Sequence, residues 1–178
     1  MTDPTEPALR IEHTLHATDW PRLADVMACA PLKVRSPADL ARAAAASYAN
    51  AYAFAGDVLV GGARAVSDGV FYATIYDVVV DPAWQGNGVG RRLVRDLLDR
   101  LPVDKVFLTS VPGKEGFYTK LGFLRQTNAM GWYTAEARAE AVALGVLVAA
   151  GADGGLASPG PGAISNGYDD EEERRRKP

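Results

Sequence analysis

The chain has one cysteine, two histidines and no apolar run approaching the roughly 18–20 residues that span a bilayer. Cys29 has no second cysteine for an intrachain disulfide, and with so few histidines a zinc site cannot be assembled. Its place in the apolar run VMACA predicts a buried, inert thiol. An excess of either charge is also missing, with 19 basic and 22 acidic residues and a formal net charge of −3. The bases are scattered except for Arg174 to Lys177, which directly follow five acids, Asp169 to Glu173. That dispersal argues against a duplex-binding face, so neither nucleic acid nor membrane is an expected partner. No basic stretch runs into an apolar one at MTDPTEPALR, which predicts a cytoplasmic protein. What is present is an ordinary globular composition, 48% hydrophobic over 178 residues, sufficient for one domain with a core.

Residues 9–15 alternate as a half-buried strand does and carry or adjoin both histidines, each read as a surface group. Asp19 is positioned to cap a helix from Trp20 to about Ala30, stopped by Pro31, and Ser36 with Pro37 starts an alanine-rich helix to about Ser47. Gly56 and Asp57 separate two strands, the second over 58–66. The β-branched run ATIYDVVVD predicts a central strand ending at Pro82. From Val89 the period changes, with Gly90, Leu93, Val94, Leu97, Leu98 and Leu101 on one helical stripe. A strand KVFLTSV and a short helix over 114–121 follow, then two final strands, 123–126 and 129–134. A helix is predicted over 135–150, and the Gly-, Pro- and charge-rich stretch 151–178 is predicted to be disordered. The order of elements implies an α/β sandwich with a mixed sheet.

The segment that carries chemistry is Val78-Val79-Val80-Asp81-Pro82-Ala83-Trp84-Gln85-Gly86-Asn87-Gly88-Val89-Gly90-Arg91. It is a buried strand passing through a glycine-rich loop into an amphipathic helix. Unpaired N–H groups and the positive end of the dipole at a helix start, reached over glycines without β-carbons, predict phosphate binding. No Lys-Ser or Lys-Thr pair follows the glycines, which disfavours a nucleotide P-loop. The dinucleotide pattern fails because Arg91 stands at its third glycine.

Gln85 to Gly90 resembles the acetyl-CoA loop of the GNAT superfamily, Q/R-x-x-G-x-G/A, at every defining position. A second segment, Gly116-Phe117-Tyr118-Thr119-Lys120-Leu121-Gly122-Phe123, is similar to that family's F-Y-x-x-x-G-F. The resemblance covers residues 8–134, treated as the acetyltransferase domain, with 135–150 an appended helix and 151–178 a tail. It implies an α+β fold whose mixed central sheet splays between the fourth and fifth strands. It further implies acetyl-CoA as cosubstrate and a primary amine of a small molecule or peptide as acceptor. A homodimer is compatible with it.

The family pattern implies that the backbone of Val78, Val79 and Val80 holds the pantetheine arm, with the N–H of Val79 or a neighbour polarising the thioester. The diphosphate falls on Gly86, Asn87, Gly88, Val89, Gly90 and Arg91, although the Arg91 guanidinium is equally readable as a solvated helix-face group. Tyr118 takes the general-acid position, against the alternative of an aromatic core residue. Asp77, the lone carboxylate of the central strand, is the candidate base, with Tyr76, water or a purely structural carboxylate as alternatives. The parity of the strand opposes Asp77 unless a bulge re-aims it. Val111 stands where many members carry an asparagine, and residues 112–114 form an unusual loop. RAVSDGVFYATIYDVVVDP is also similar to a branch of bacterial and plastid GNAT enzymes that includes arylalkylamine acetylators. A protein lysine or N-terminal acetyltransferase, or a non-catalytic acetyl-CoA-binding module, are the alternative functions.

Overall fold

The computed structural model describes residues 8–30, 34–127 and 129–147. The chain divides into two compact units, Met1–Leu124 and Arg125–Pro178. In the first, the elements are β1 (Leu9–Glu12), α1 (Trp20–Ala28), α2 (Pro37–Ala45), β2 (Ala49–Ala55), β3 (Val58–Ser67), β4 (Tyr72–Val80), a 3₁₀ turn (Pro82–Trp84), α3 (Val89–Arg100), β5 (Lys105–Leu108) and α4 (Glu115–Thr119). The strands form one sheet in sequence order. Neighbours from β1 to β4 are antiparallel, and β5 runs parallel to β4. This is the expected mixed sheet with flanking helices.

Alternation along the strands sorts side chains into two cores. On one face Ala51, Ala53, Ala63, Ala65, Ala73 and Ile75 meet Val89, Leu93, Val94 and Leu97 of α3. Alanine in the sheet leaves room for the larger α3 side chains, so the two surfaces interlock at close-packed density. On the other face Tyr52, Phe54, Leu59 and Val79 meet Leu23, Val26 and Met27 of α1 and Leu40 of α2. The helix stripe read from the sequence is therefore the buried face of α3.

Several local expectations differ from the structure. Asp19 does not cap α1 with its side chain; its carboxylate instead accepts the His16 N–H at 2.8 Å. Ser36 does cap α2, its Oγ accepting the Asp39 N–H at 3.1 Å. Cys29 is exposed rather than buried, because it follows the last turn of α1 on the side away from Leu23, Val26 and Met27. Both histidines are at the surface as expected, with His13 Nε2 3.0 Å from Asp96 Oδ1.

Residues 123–126 and 129–134 form no strand. Their apolar residues Leu124, Met130 and Trp132 are exposed, and β-propensity acts through packing that these side chains do not have. In the second unit α5 covers Ala135–Ala143, capped by Thr134. It stops well before residue 150, where Gly145 takes a left-handed φ of 69°. Pro31, residues 148–150 and the stretch 151–178 lie outside the described residues. Among the described residues no helix is long and apolar enough to cross a membrane.

Candidate active site

The site is built where β4 outruns β5. Strand β5 pairs only with Tyr72 to Ile75 of β4, ending at the Ile75–Leu108 pair, whereas β4 continues to Val80. From Tyr76 onward the edge of β4 away from β3 has no strand beside it among the described residues. The Asp81 N–H donates to the Val60 carbonyl at 2.8 Å, and Val79 pairs with Gly62. Alternation then points the polar groups of Val79 at β3 and those of Val78 and Val80 at the open edge. The free backbone thus belongs to Val78 and Val80, two of the three valines expected to hold the pantetheine arm, while that of Val79 pairs with β3.

Between Gly62 and Arg64 of β3 the register slips: Gly62 faces Val79 and Arg64 faces Tyr76, so Ala63 opposes two residues of β4. That β-bulge contains Asp77, the one described non-glycine residue with positive φ, at 56°. Ala73 and Ile75 point to the α3 face, and strict alternation would send Asp77 after them. The bulge instead turns Asp77 to the opposite face, into a cavity lined by α1 and α2. The parity objection raised by the sequence is thereby removed.

In that cavity Asp77 Oδ2 accepts hydrogen bonds from Arg64 Nε at 2.5 Å and Arg35 Nη1 at 3.0 Å. The Asp77 side chain is only 10% exposed, against 19% for Arg64 and 34% for Arg35. Arg64 also lies over the Tyr76 ring, 5.0 Å from its centroid. Trp20 meets Tyr52 edge-on at 6.1 Å on the apolar wall. Burial pushes the Tyr52 hydroxyl up to about 12, against the opposing pull of Arg64, so it is neutral at physiological pH. Sequence reading missed Arg35 and Arg64. The signal for Arg64 was a lone cation inside GGARAV, since a charge in a buried strand requires a partner and Asp77 was the only carboxylate on its neighbour.

The glycine loop leaves the other end of β4. Asp81 accepts the Ala83 N–H at 2.9 Å and pairs with Arg22. Its carboxyl is held below the usual range, chiefly by the Ala83 hydrogen bond and then by Arg22. Gln85 Nε2 donates to the Val80 carbonyl at 3.1 Å, tying the loop to the open end of the strand. Gly86 and Gly88 have φ of 87° and 78°, and a β-carbon on either would meet nothing within 4 Å. The Gln85 N–H bonds back to the Pro82 carbonyl at 3.3 Å, and the next to bond back is Arg92, to the Gly88 carbonyl at 3.0 Å. The N–H groups of Gly86 to Arg91 have no protein partner among the described residues. Asn87 and Arg91 are exposed beside them.

Tyr118 is half-buried on α4 and packs against the α3-face core. Its ring lies edge-on to Phe117 at 4.9 Å and to Phe123 at 5.9 Å. Burial raises its hydroxyl above the ordinary tyrosine value. Phe117 in turn abuts Gly90, so the second motif sits against the first. Donor-type features thus lie on the α3 face and at the open edge, while the Asp77 cavity lies on the opposite face.

Residues 15–123 match the acetyltransferase (GNAT) family. The chain is 41% identical over 81 residues to the N-acetyltransferase ycf52, named as uncharacterized, of Pyropia yezoensis, a match covering 42% of this chain and 47% of that protein. It is 46% identical over 72 residues to the chloroplastic serotonin N-acetyltransferase 2 of Oryza sativa subsp. japonica, covering 38% of this chain and 36% of that protein. These matches span less than half the length of those relatives. Among solved structures, the ribosomal-protein-S18-alanine N-acetyltransferase of Escherichia coli superposes with a TM-score of 0.59 at 26% identity. That superposition covers 72% of this chain and 86% of that one.

Proposed function

The chain belongs to the acetyltransferase (GNAT) family, and on that premise we propose that it transfers an acetyl group from acetyl-CoA to a primary amine of a small molecule or peptide. Transfer is by direct attack in a ternary complex, in a cytoplasmic setting. The observation that carries the reading is the open edge of β4 from Tyr76 to Val80, leading directly into the glycine loop and the start of α3. The residues fit acetyl-CoA: unpaired N–H groups converge beside two glycines with open space before them.

When bound, acetyl-CoA supplies an activated acetyl thioester. The N–H groups of Gly86 to Arg91 hold its diphosphate, and the exposed Arg91 guanidinium adds a charge-assisted contact. Gln85 keeps the loop against β4. The N–H groups of Val78 and Val80 face the open edge and provide a donor where negative charge develops on the carbonyl oxygen.

Nitrogen attack forms a C–N bond and breaks the C–S bond, so one proton must leave nitrogen and one must reach sulfur. Tyr118 keeps its proton because burial raises its pKa, and gives it to the thiolate. Asp77 takes the amine proton directly or through water, using Oδ1, since Oδ2 is engaged by both arginines. The cavity walled by Trp20 and Tyr52 favours a small acceptor.

Thermal stabilisation tests the premise. Acetyl-CoA at a hundredfold excess over its Kd stabilises the fold by about 2.7 kcal/mol, accompanied by amine-dependent thiol release. A larger shift with NADH or ATP overturns the reading.

A further inference from the structure

The charges gathered at Asp77 do not balance. Two guanidiniums, Arg35 and Arg64, converge on one carboxylate, and they share a single oxygen of it. The remaining polar group on the cavity wall, Tyr52, is a neutral hydroxyl. Among the described residues the group of three therefore carries one positive charge in excess, next to a carboxylate oxygen, Asp77 Oδ1, that accepts no hydrogen bond. The cavity's remaining walls are apolar: Trp20, Met27 and Leu40. A partly buried cation without a counterion is unfavourable, and Arg35 has further N–H donors beyond the one given to Asp77.

Resting on the acetyltransferase reading, we infer that the acceptor is an amino carboxylate with an apolar side chain. Its carboxylate completes the pairing of Arg35 and Arg64, and its amine lies by Asp77 Oδ1. Each part of such a molecule meets its complement: anion to guanidinium fork, amine to carboxylate oxygen, side chain to the Trp20 wall. A plain arylalkylamine supplies the last two and leaves the arginine charge unpaired. The bulge at Asp77 makes this arrangement, because it brings the strand's only carboxylate onto the same face as Arg64. Arg35 lies in the segment just before α2, reaches Asp77 from there, and is the more exposed of the two arginines.

The test compares phenylalanine with phenethylamine and with phenylalaninamide, and tryptophan with tryptamine and tryptophanamide, by thiol release from acetyl-CoA. The amine is more basic than the amino acid and the amide less basic, so a preference for the acid over both cannot come from ammonium pKa. Charge-assisted pairing predicts kcat/KM roughly tenfold to a hundredfold higher for the acids. In Arg35→Gln that ratio should collapse towards one, and Arg35→Lys should restore part of it. Acetyl-CoA stabilisation measured on the same variants reports that the fold and coenzyme site persist. Equal or faster turnover of the counterparts that lack a carboxylate overturns the inference and leaves the acetyltransferase reading standing. No turnover of any amine, together with no acetyl-CoA stabilisation of the wild type, overturns both.

Discussion

A β-carbon on Gly90 would stand 3.3 Å from Cζ of Phe117 and 3.5 Å from Cγ2 of Val80. The start of α3, the end of β4 and α4 thus meet at one point, and the residue there is the last glycine of the loop. The contact joins two motifs that lie far apart in the chain, and it sets the position of Tyr118, the neighbour of Phe117. Alanine at Gly90 needs only a small shift of the ring, and its better helix propensity, about 0.5–1 kcal/mol, offsets the tightness.

Gly90→Leu has no such room. Overpacking should lower stability by about 1–3 kcal/mol and displace α4, so kcat should fall while Gly90→Ala stays near wild type. Denaturant unfolding and steady-state kinetics on both variants check this. Equal kcat in the two would show that α4 is not positioned through this contact.

The phosphate loop is best probed at Asn87. Gly86 and Gly88 have positive φ, so any side chain there strains the backbone even though the space before it is empty, by about 1–2 kcal/mol. Asn87→Asp is isosteric and avoids that strain. An acid next to the start of α3 should stabilise the helix by about 0.3–1 kcal/mol, yet repel a diphosphate. The expected result is a raised melting temperature with several-fold weaker acetyl-CoA binding, the penalty shrinking as salt screens it. Undiminished affinity at low salt would place the phosphates elsewhere.

Tyr118→Phe removes only the hydroxyl and keeps the rings of Phe117 and Phe123 packed. As the proton donor, its loss should lower kcat by roughly 10²–10⁴ with little change in acetyl-CoA affinity or melting temperature. Since burial raises the Tyr118 pKa, the wild-type alkaline limb of kcat should lie above the ordinary tyrosine range. A normal rate in the variant would leave Tyr118 as packing alone.

Asp77→Asn leaves Arg35 and Arg64 facing each other in a partly buried cavity. A loss of about 2–4 kcal/mol is expected, and a double-mutant cycle with Arg35→Gln should show a coupling of about 0.5–3 kcal/mol. If Asp77 also serves as base, kcat falls at neutral pH and partly recovers at high pH, where more of the amine is already neutral. Stability loss with an unchanged pH profile would make the carboxylate structural and leave proton removal to water.

Tyr52 predicts an alkaline limit. Burial pushes its hydroxyl up to about 12 from the ordinary tyrosine value of 10.0, so above pH 10 the unfolded state releases the proton first. The stability present below pH 10 is then lost as pH rises towards 12, by about 1.4 kcal/mol per pH unit. Tyr52→Phe should flatten this slope in denaturant titrations. An identical slope in wild type and variant would assign alkaline unfolding to other groups.

The sequence by itself determined the features that depend on near neighbours. The change of period at Val89 specifies α3 and its buried stripe, and the glycines at 86 and 88 specify the loop, because left-handed φ values favour glycine whatever surrounds them. The motifs around Gly88 and Tyr118 carried the family resemblance, and with it the expectation of a coenzyme site there. What tertiary structure alone decided depends on which strand lies beside which. The end of β5 at Leu108 opens the edge of β4. The slip opposite Ala63 carries Asp77 across the sheet. Two arginines distant in the chain converge on that carboxylate. Alternation could not place 123–126 and 129–134 in strands, because a period-two pattern becomes a strand only when a partner edge and a packed face receive it. Asp77 marks the division: its type and parity were readable, but its direction depended on a one-residue mismatch with β3, which no single strand encodes.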